Sequence, residues 1–352
     1  MLYRRVCIES LGYVIPECVV SSDEIERRLT PLYEKLKLPF GRLEMMTGIR
    51  ERRFWPQGTM PSDASTKAGA MAIERSGIDP SDIECLIHSS VSRDYLEPAT
   101  ATIVHDNLKL PKTSLVFDIS NACLGFLNGM ITLANMIELG QVKSGIVVAG
   151  ENAGALLEKT IADLISMDTP NRNKIKDSFP SLTIGSGSAA MVLTDISISK
   201  TKRRLIGGSF MAATMHNNLC RGGANMTDAG MADEANKPHM CTDAESLLVS
   251  GCELAKENWG ELKRELGWAN ESVDRIFCHQ VGSVHRRAIY NSLDLDLNKD
   301  FSTFEVLGNV GSVSLPITMA IAADKGVIER GQNVAMLGIG SGINCLMLGI
   351  TW

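Results

Sequence analysis

Leu115-Val-Phe-Asp-Ile-Ser-Asn-Ala-Cys-Leu-Gly-Phe-Leu-Asn-Gly-Met130 is the stretch whose reading decides the fold. Residues 115–119 form a short apolar run that suits a strand, and the spacing from Leu124 to Leu139 predicts a helix ended by Gly140. Ser120 and Asn121 are the turn and N-cap candidates, so Cys123 falls at the bend. A side chain held there meets unpaired backbone N–H groups and the positive end of the helix dipole, which favour thiolate over thiol. Cys123 is therefore the candidate nucleophile; the alternative is a small core residue between Ala122 and Leu124.

Outside this stretch, composition bounds the answer. A chain of 352 residues is too long for one ordinary core and suits two domains or two similar halves. The net charge of −6, from 35 basic and 41 acidic residues, disfavours a nucleic-acid or anionic-membrane surface. The nine cysteines are scattered, with no C-x-x-C pair and no zinc spacing, so a reducing cytosol fits better than a disulfide framework. No run of eighteen apolar residues occurs and the N-terminus lacks the apolar core of a secretory signal, so a soluble cytoplasmic protein is expected.

In chain order, strands are expected at 5–11 and 18–20, a helix capped by Ser21 or Ser22, and a helix from Pro61 to Ser76 stopped by Gly77. The arginines of Met46–Trp55 read as a solvated edge. A buried strand over 83–89 precedes a polar loop, Val91–Thr100, that enters a helix at Pro98. The second part repeats this grammar at a fixed offset: His88 and His279 each close an apolar run 191 residues apart, as Gly140 and Gly331 each precede one. Two halves are expected, 1–198 and 199–352, joined at the basic turn Ser199–Arg204, which reads as a solvated linker. Helices alternating with short apolar strands imply mostly parallel sheets covered on both faces.

Three further places carry chemistry-bearing residues. His279 ends a buried strand, Asn309 sits in the Gly-rich loop 305–316, and Gly338-Ile-Gly-Ser-Gly342 is a glycine hairpin. A His at a strand end is ordinarily structural and an Asn between glycines ordinarily a turn former. Together with Cys123 they also supply what thiolate attack on an acyl thioester needs, namely hydrogen-bond donors for an oxyanion.

Thr47-Gly-Ile-Arg-Glu-Arg52, Asn121-Ala-Cys-Leu-Gly-Phe126, His279-Gln280, Gly308-Asn-Val-Gly-Ser312 and Gly338-Ile-Gly-Ser-Gly342 resemble, in order and over nearly the whole chain, the condensing enzymes of the thiolase superfamily, especially β-ketoacyl-ACP synthase III. The resemblance implies an α/β, five-layered αβαβα fold of two thiolase-like halves, the first carrying the nucleophilic Cys and the second the His and Asn. It also implies a homodimer, a Cys123–His279–Asn309 triad, and an oxyanion hole from the backbone amides of Cys123 and Ser341. CoA thioesters enter as substrates and no cofactor is called for.

Ser90–Pro98, Leu219-Cys-Arg-Gly222, Phe304–Asn309 and Gly338–Cys345 are similar to one branch, the OleA-type acyl-CoA condensing enzymes of long-chain olefin biosynthesis. That branch implies an acyltransferase joining two fatty acyl-CoA molecules head to head in a non-decarboxylative Claisen condensation, with a 2-alkyl-3-ketoacyl product. Olefin or β-lactone pathway enzymes would act downstream. In that branch a glutamate from the partner subunit is the proposed base, and Glu97 matches it; read on its own, Glu97 is a helix-start carboxylate ahead of Pro98. An unactivated acyl thioester must lose an α-proton, which is why a base is required. The alternative is a decarboxylative synthase III that uses malonyl-ACP. A papain-like hydrolase is disfavoured because the Cys-Gly-Ser-Cys-Trp context is absent. Met130–Met136 and Met211–Met226 are candidates for tunnel walls, although core packing is the ordinary role for such residues. Met46 and Arg42 replace the Arg and Trp that clamp the CoA adenine in synthase III, and the insert from Gly223 to Met240 reads as a surface loop.

Overall fold

Residues Ser144–Glu151 form a strand buried at every position, with Val147 and Ala149 entering one core and Ile146 and Val148 another. That is the period-two pattern of a strand covered on both faces, and it recurs through the main sheet. The computed structural model describes residues 1–167, 172–223 and 239–352, with the side chains of 172–174 left aside. Apart from its ends, the insert read between Gly223 and Met240 lies outside the described residues, as does Met226.

In chain order the described strands are β1 (Val6–Val14), β2 (Cys18–Ser21), β3 (Glu51–Phe54), β4 (Cys85–His88), β5 (Leu115–Asp118), β6 (Ser144–Glu151), β7 (Gly187–Asp195), β8 (Arg204–Ala212), β9 (Cys220–Gly223), β10 (His239–Thr242), β11 (Arg275–Cys278), β12 (Asn333–Gly340) and β13 (Asn344–Thr351). The main sheet runs β11-β12-β13-β8-β1-β7-β6-β4-β5, and β2–β3 and β9–β10 are separate ribbons. Outward from the β8–β1 seam, each side places the first, fourth, third and second strand of its half in that order. The 191-residue repeat is thus a repeat of architecture, with β5 added at one edge.

Five layers follow from what each face buries. Helices Gly125–Glu138 and Ser314–Asp324 share the central core, where Met130, Leu133, Ile317 and Met319 meet Met191, Met336 and Leu348. Helices Pro61–Ser76 and Thr100–Asn107 cover the outer face of the first half, where Ala68, Ala72 and Val104 pack on Ile146 and Val192. Helices Ala244–Leu266 and Ser283–Leu293 cover the second, where Trp259, Leu262 and Tyr290 pack on Ala335, Leu337 and Met347. Truncating a central residue such as Leu133 to Ala costs about 2–5 kcal/mol in contacts and cavity.

Several expectations need correction. The sheet is mixed: β4 pairs in parallel with β5 and β6, and β11 with β12, while the other pairings are antiparallel. The tight turn from β12 to β13 admits only an antiparallel pair. Neither Ser120 nor Asn121 caps the helix, which begins at Gly125 behind Leu124 with no side-chain cap. Ala122, at φ 46°, turns the chain once more first, and the Asn121 carboxamide bonds Asn128 (2.8 Å) and Asn344 (3.2 Å) instead. Arg52 is fully buried rather than on a solvated edge, its guanidinium brought down to about 10 by loss of water and bonded to Ser22 at 3.0 Å. The basic turn at 199–204 is tied down rather than solvated: the Lys200 N–H donates to Glu9, its ammonium donates to the Gly77 carbonyl, and Arg203 lies 3.9 Å over the Trp352 ring.

Candidate active site

The repeat places one histidine at a strand end in each half, and the two differ in their surroundings. His88, closing β4, is satisfied: Nε2 lies 3.1 Å from the Ser90 hydroxyl and Nδ1 lies 3.7 Å from Asp118. His279, following β11, has its backbone N–H bonded to Leu337 O at 3.0 Å, but its buried Nδ1 has no partner among the described residues. An unpaired buried imidazole nitrogen costs roughly 1–3 kcal/mol unless a ligand meets it. His279 opens instead onto a cavity of about 1170 Å³ lined also by Cys123, Asn309 and Ser341. That volume lies above the usual range of about 300–1,000 Å³ for ligand pockets. Its apolar wall includes Leu156, Phe179, Met240, Leu247 and Phe304.

Cys123 reaches this cavity because the strand-end glycines let the bend approach. A Cβ on Gly338 would meet Leu124 and Leu127 at 2.5 Å, and one on Gly340 would stand 3.6 Å from the Cβ of Cys123. Cys123 keeps part of its surface open while protein packs densely around it, and burial pushes its thiol up to about 12. Cys220 and Glu151 push the same way, and only its own backbone N–H pulls back. The expectation of a resting thiolate is therefore corrected: loss of water outweighs the helix-end N–H groups. Cys123 rests as the thiol at pH 7, and attack needs a base. His279 lines the same cavity, and burial, followed by the nearby His285, lowers it to about 4. Its ring is therefore neutral at pH 7 and has a nitrogen able to accept a proton, though as a weaker base than a free imidazole.

Asn309 is held by a loop locked to residues 183–185, through Asn309 N–H to Thr183 O (3.0 Å) and Gly185 N–H to Asn309 O (2.8 Å). Its carboxamide oxygen accepts from the Gly311 N–H at 3.1 Å and the Ser314 hydroxyl at 3.3 Å. Those two donors orient the amide, whose NH₂ group has no partner among the described residues. Gln280 steadies the His279 side: its NH₂ bonds Cys278 O at 2.8 Å and its oxygen accepts from Thr303 N–H at 3.1 Å.

Glu97 behaves differently. It is exposed and does not line the cavity of its own chain, although Tyr95 and Leu96 beside it do. The helix it was read as starting begins only at Thr100. Of the two methionine segments, 211–226 contributes Cys220, Arg221, Gly222 and Gly223 to the cavity wall, but none of the described methionines of either segment lines it. Met130 and Met136 pack in the central core and Met211 against the outer core of the second half, because those faces point at sheets. Sequence reasoning passed over Glu151 and His285, both of which line the cavity. Glu151 ends β6 inside a hydrophobic run, and a carboxylate there was the available signal.

Duplicated half-sheets, a cysteine at the bend into the central helix, and a histidine and an asparagine from the other half at the same cavity define a thiolase-fold condensing enzyme. The thiolase N-terminal domain family matches residues 45–202, and the 3-oxoacyl-[acyl-carrier-protein] synthase III C-terminal family matches 263–352. The chain is 43% identical to the acyl-CoA:acyl-CoA alkyltransferase of Shewanella oneidensis and 37% to that of Xanthomonas campestris pv. campestris, each alignment covering 100% of both chains. Among solved structures it superposes on a Cys-to-Ala variant of Xanthomonas campestris OleA with TM-score 0.93 at 37% identity, covering 100% of this chain and 98% of that one. A Cys-to-Ser variant of the same OleA, with bound lauric acid and lauroyl-CoA, gives TM-score 0.93 at 36% identity with 100% of both chains covered. The chain belongs to the OleA-type acyl-CoA:acyl-CoA alkyltransferase family and is an acyltransferase.

Proposed function

We propose that the chain joins two fatty acyl-CoA molecules head to head by non-decarboxylative Claisen condensation through an acyl-Cys123 intermediate. The Cys123 thiol attacks the first thioester carbonyl while its proton passes to the neutral His279 imidazole. The backbone N–H groups of Cys123 and Ser341 hold the oxyanion, and collapse breaks the C–S bond to CoA, which leaves as the thiol with that proton. A second acyl-CoA then presents its carbonyl to the His279 imidazole and the Asn309 NH₂ group, and Glu97 of the partner subunit removes its α-proton. The enolate carbon bonds to the acyl carbon, Cys123 leaves and regains a proton, and a 2-alkyl-3-ketoacyl-CoA results. No cofactor enters any step. Each oxyanion donor contributes about 3 kcal/mol, or a hundredfold or more in rate.

The observation that carries this reading is the meeting of Cys123, Asn309, Ser341 and a His279 whose Nδ1 is unpaired among the described residues on one large apolar cavity. A homodimer is supported by β5, an open sheet edge with Leu115 51% exposed, and by the apolar Val91, Tyr95 and Leu96 beside Glu97, of which Leu96 is 74% exposed. Among the described residues no helix is long and apolar enough to cross a membrane. A cytoplasmic location and downstream enzymes acting on the 2-alkyl-3-keto product complete the proposal. It is tested by giving purified protein one saturated long-chain acyl-CoA and no malonyl donor. Mass spectrometry should find the condensed product with wild type and none with Cys123→Ala. Strict dependence on malonyl-ACP would instead establish a decarboxylative synthase.

A further inference from the structure

Glu151 lines the cavity, yet the steps above give it no task. Its carboxylate is buried and hydrogen-bonded on both oxygens. Oε1 accepts from the Val91 N–H (2.9 Å), the Ser312 N–H (3.2 Å) and the Ser312 hydroxyl (2.6 Å), and Oε2 accepts from the Ser92 N–H (3.0 Å). Four donors, three on Oε1 and one on Oε2, fix the orientation of this carboxylate, which marks it as a structural anchor. What the four bonds join is specific. Val91 and Ser92 open the loop that carries Glu97, and Ser312 closes the turn that orients Asn309 through Gly311. Gly311, at φ +56°, has no Cβ; one built there would stand 3.1 Å from the Glu151 carboxyl. Two more bonds fasten the same loop to the end of β6, Gly150 N–H to the Ser90 hydroxyl (2.7 Å) and Asn152 N–H to the Ser92 hydroxyl (3.1 Å).

We propose that Glu151 is a positioning residue for the second half-reaction, the joint that sets the Asn309 donor of its own site and the loop presenting Glu97. Resting on the condensation reading above, it divides the two half-reactions between different supports. Loading of Cys123 depends on the glycine hairpin and His279, to which Glu151 makes no hydrogen bond among the described residues. Carbon–carbon bond formation depends on both loops that it holds. Its negative charge also disfavours ionisation of Cys123, so removing it acts on the two half-reactions in opposite directions.

The test uses the full-length protein and separates the half-reactions. Loading is followed by intact mass with an acyl-CoA lacking α-hydrogens, condensation by product mass with a saturated acyl-CoA, and thiol reactivity by iodoacetamide at pH 8. Glu151→Gln should load within threefold of wild type and alkylate as fast or faster, while condensation falls tenfold or more. Combined with Asn309→Asp, the further loss should be smaller than the product of the two single losses, because part of the effect runs through Asn309. Ser312→Ala removes one bond only and should show the same split at smaller amplitude, even if Glu151→Gln folds poorly. Equal losses of loading and condensation in Ser312→Ala, or unchanged condensation in a folded Glu151→Gln, would overturn the assignment. Absence of condensation in wild type would instead refute the proposed function, so the two failures are distinguishable.

Discussion

Replacing Asn309 by Asp isolates one hydrogen-bond donor. The carboxamide oxygen accepts from the Gly311 N–H and the Ser314 hydroxyl, and an aspartate keeps both bonds while exchanging the free NH₂ for a second oxygen. Those donors favour the ionised form, so at pH 8 the position presents negative charge to the enolate. Loss of the donor removes about 3 kcal/mol of transition-state stabilisation, about a hundredfold in condensation rate, and the added charge deepens that loss. Stability should change little, since no buried partner is abandoned. Asn309→Ala strands two donors, at about 1–3 kcal/mol each. The assay follows acyl-enzyme by intact mass and condensed product by mass spectrometry, with thermal melts of both variants. Acylation near the wild-type rate with condensation at least a hundredfold down is expected, and only Asn309→Ala should melt markedly lower. Condensation by Asn309→Asp within threefold of wild type would show that Asn309 carries no donor to the reacting carbonyl.

Three other outcomes follow from the same geometry. Because His279 is lowered to about 4, it stays neutral as pH falls from 8 to 5, so Cys123 loading should show no acid limb near 6.5; a midpoint there would place the base elsewhere. Dimers mixed from equal Cys123→Ala and Glu97→Ala subunits should recover about a quarter of wild-type condensation, since half the dimers are mixed and each mixed dimer holds one intact pair. No recovery would mean that Glu97 serves its own subunit. Gly340→Val should slow Cys123 loading and lower the melting temperature by an overpacking cost of about 1–3 kcal/mol, because a Cβ there already meets Leu124 at 3.2 Å; an unchanged loading rate would remove the hairpin from the account.

The sequence by itself determined the two halves, because a 191-residue spacing of strand-end histidines and pre-strand glycines is a linear signal that folding preserves. It also identified Cys123, His279 and Asn309 as candidates, since each stands at a strand end or glycine loop where backbone approach is tightest. Tertiary structure alone decided their state. Whether Cys123 rests as thiol or thiolate depends on how much water the surrounding layers remove, and that balance ran against the helix end. His88 and His279 read alike in sequence; only a Ser90 and Asp118 beside one and a large cavity beside the other separate them. Glu151 was hidden for the same reason. Its partners lie 59 to 161 residues away along the chain, and no local pattern records a contact made at that distance.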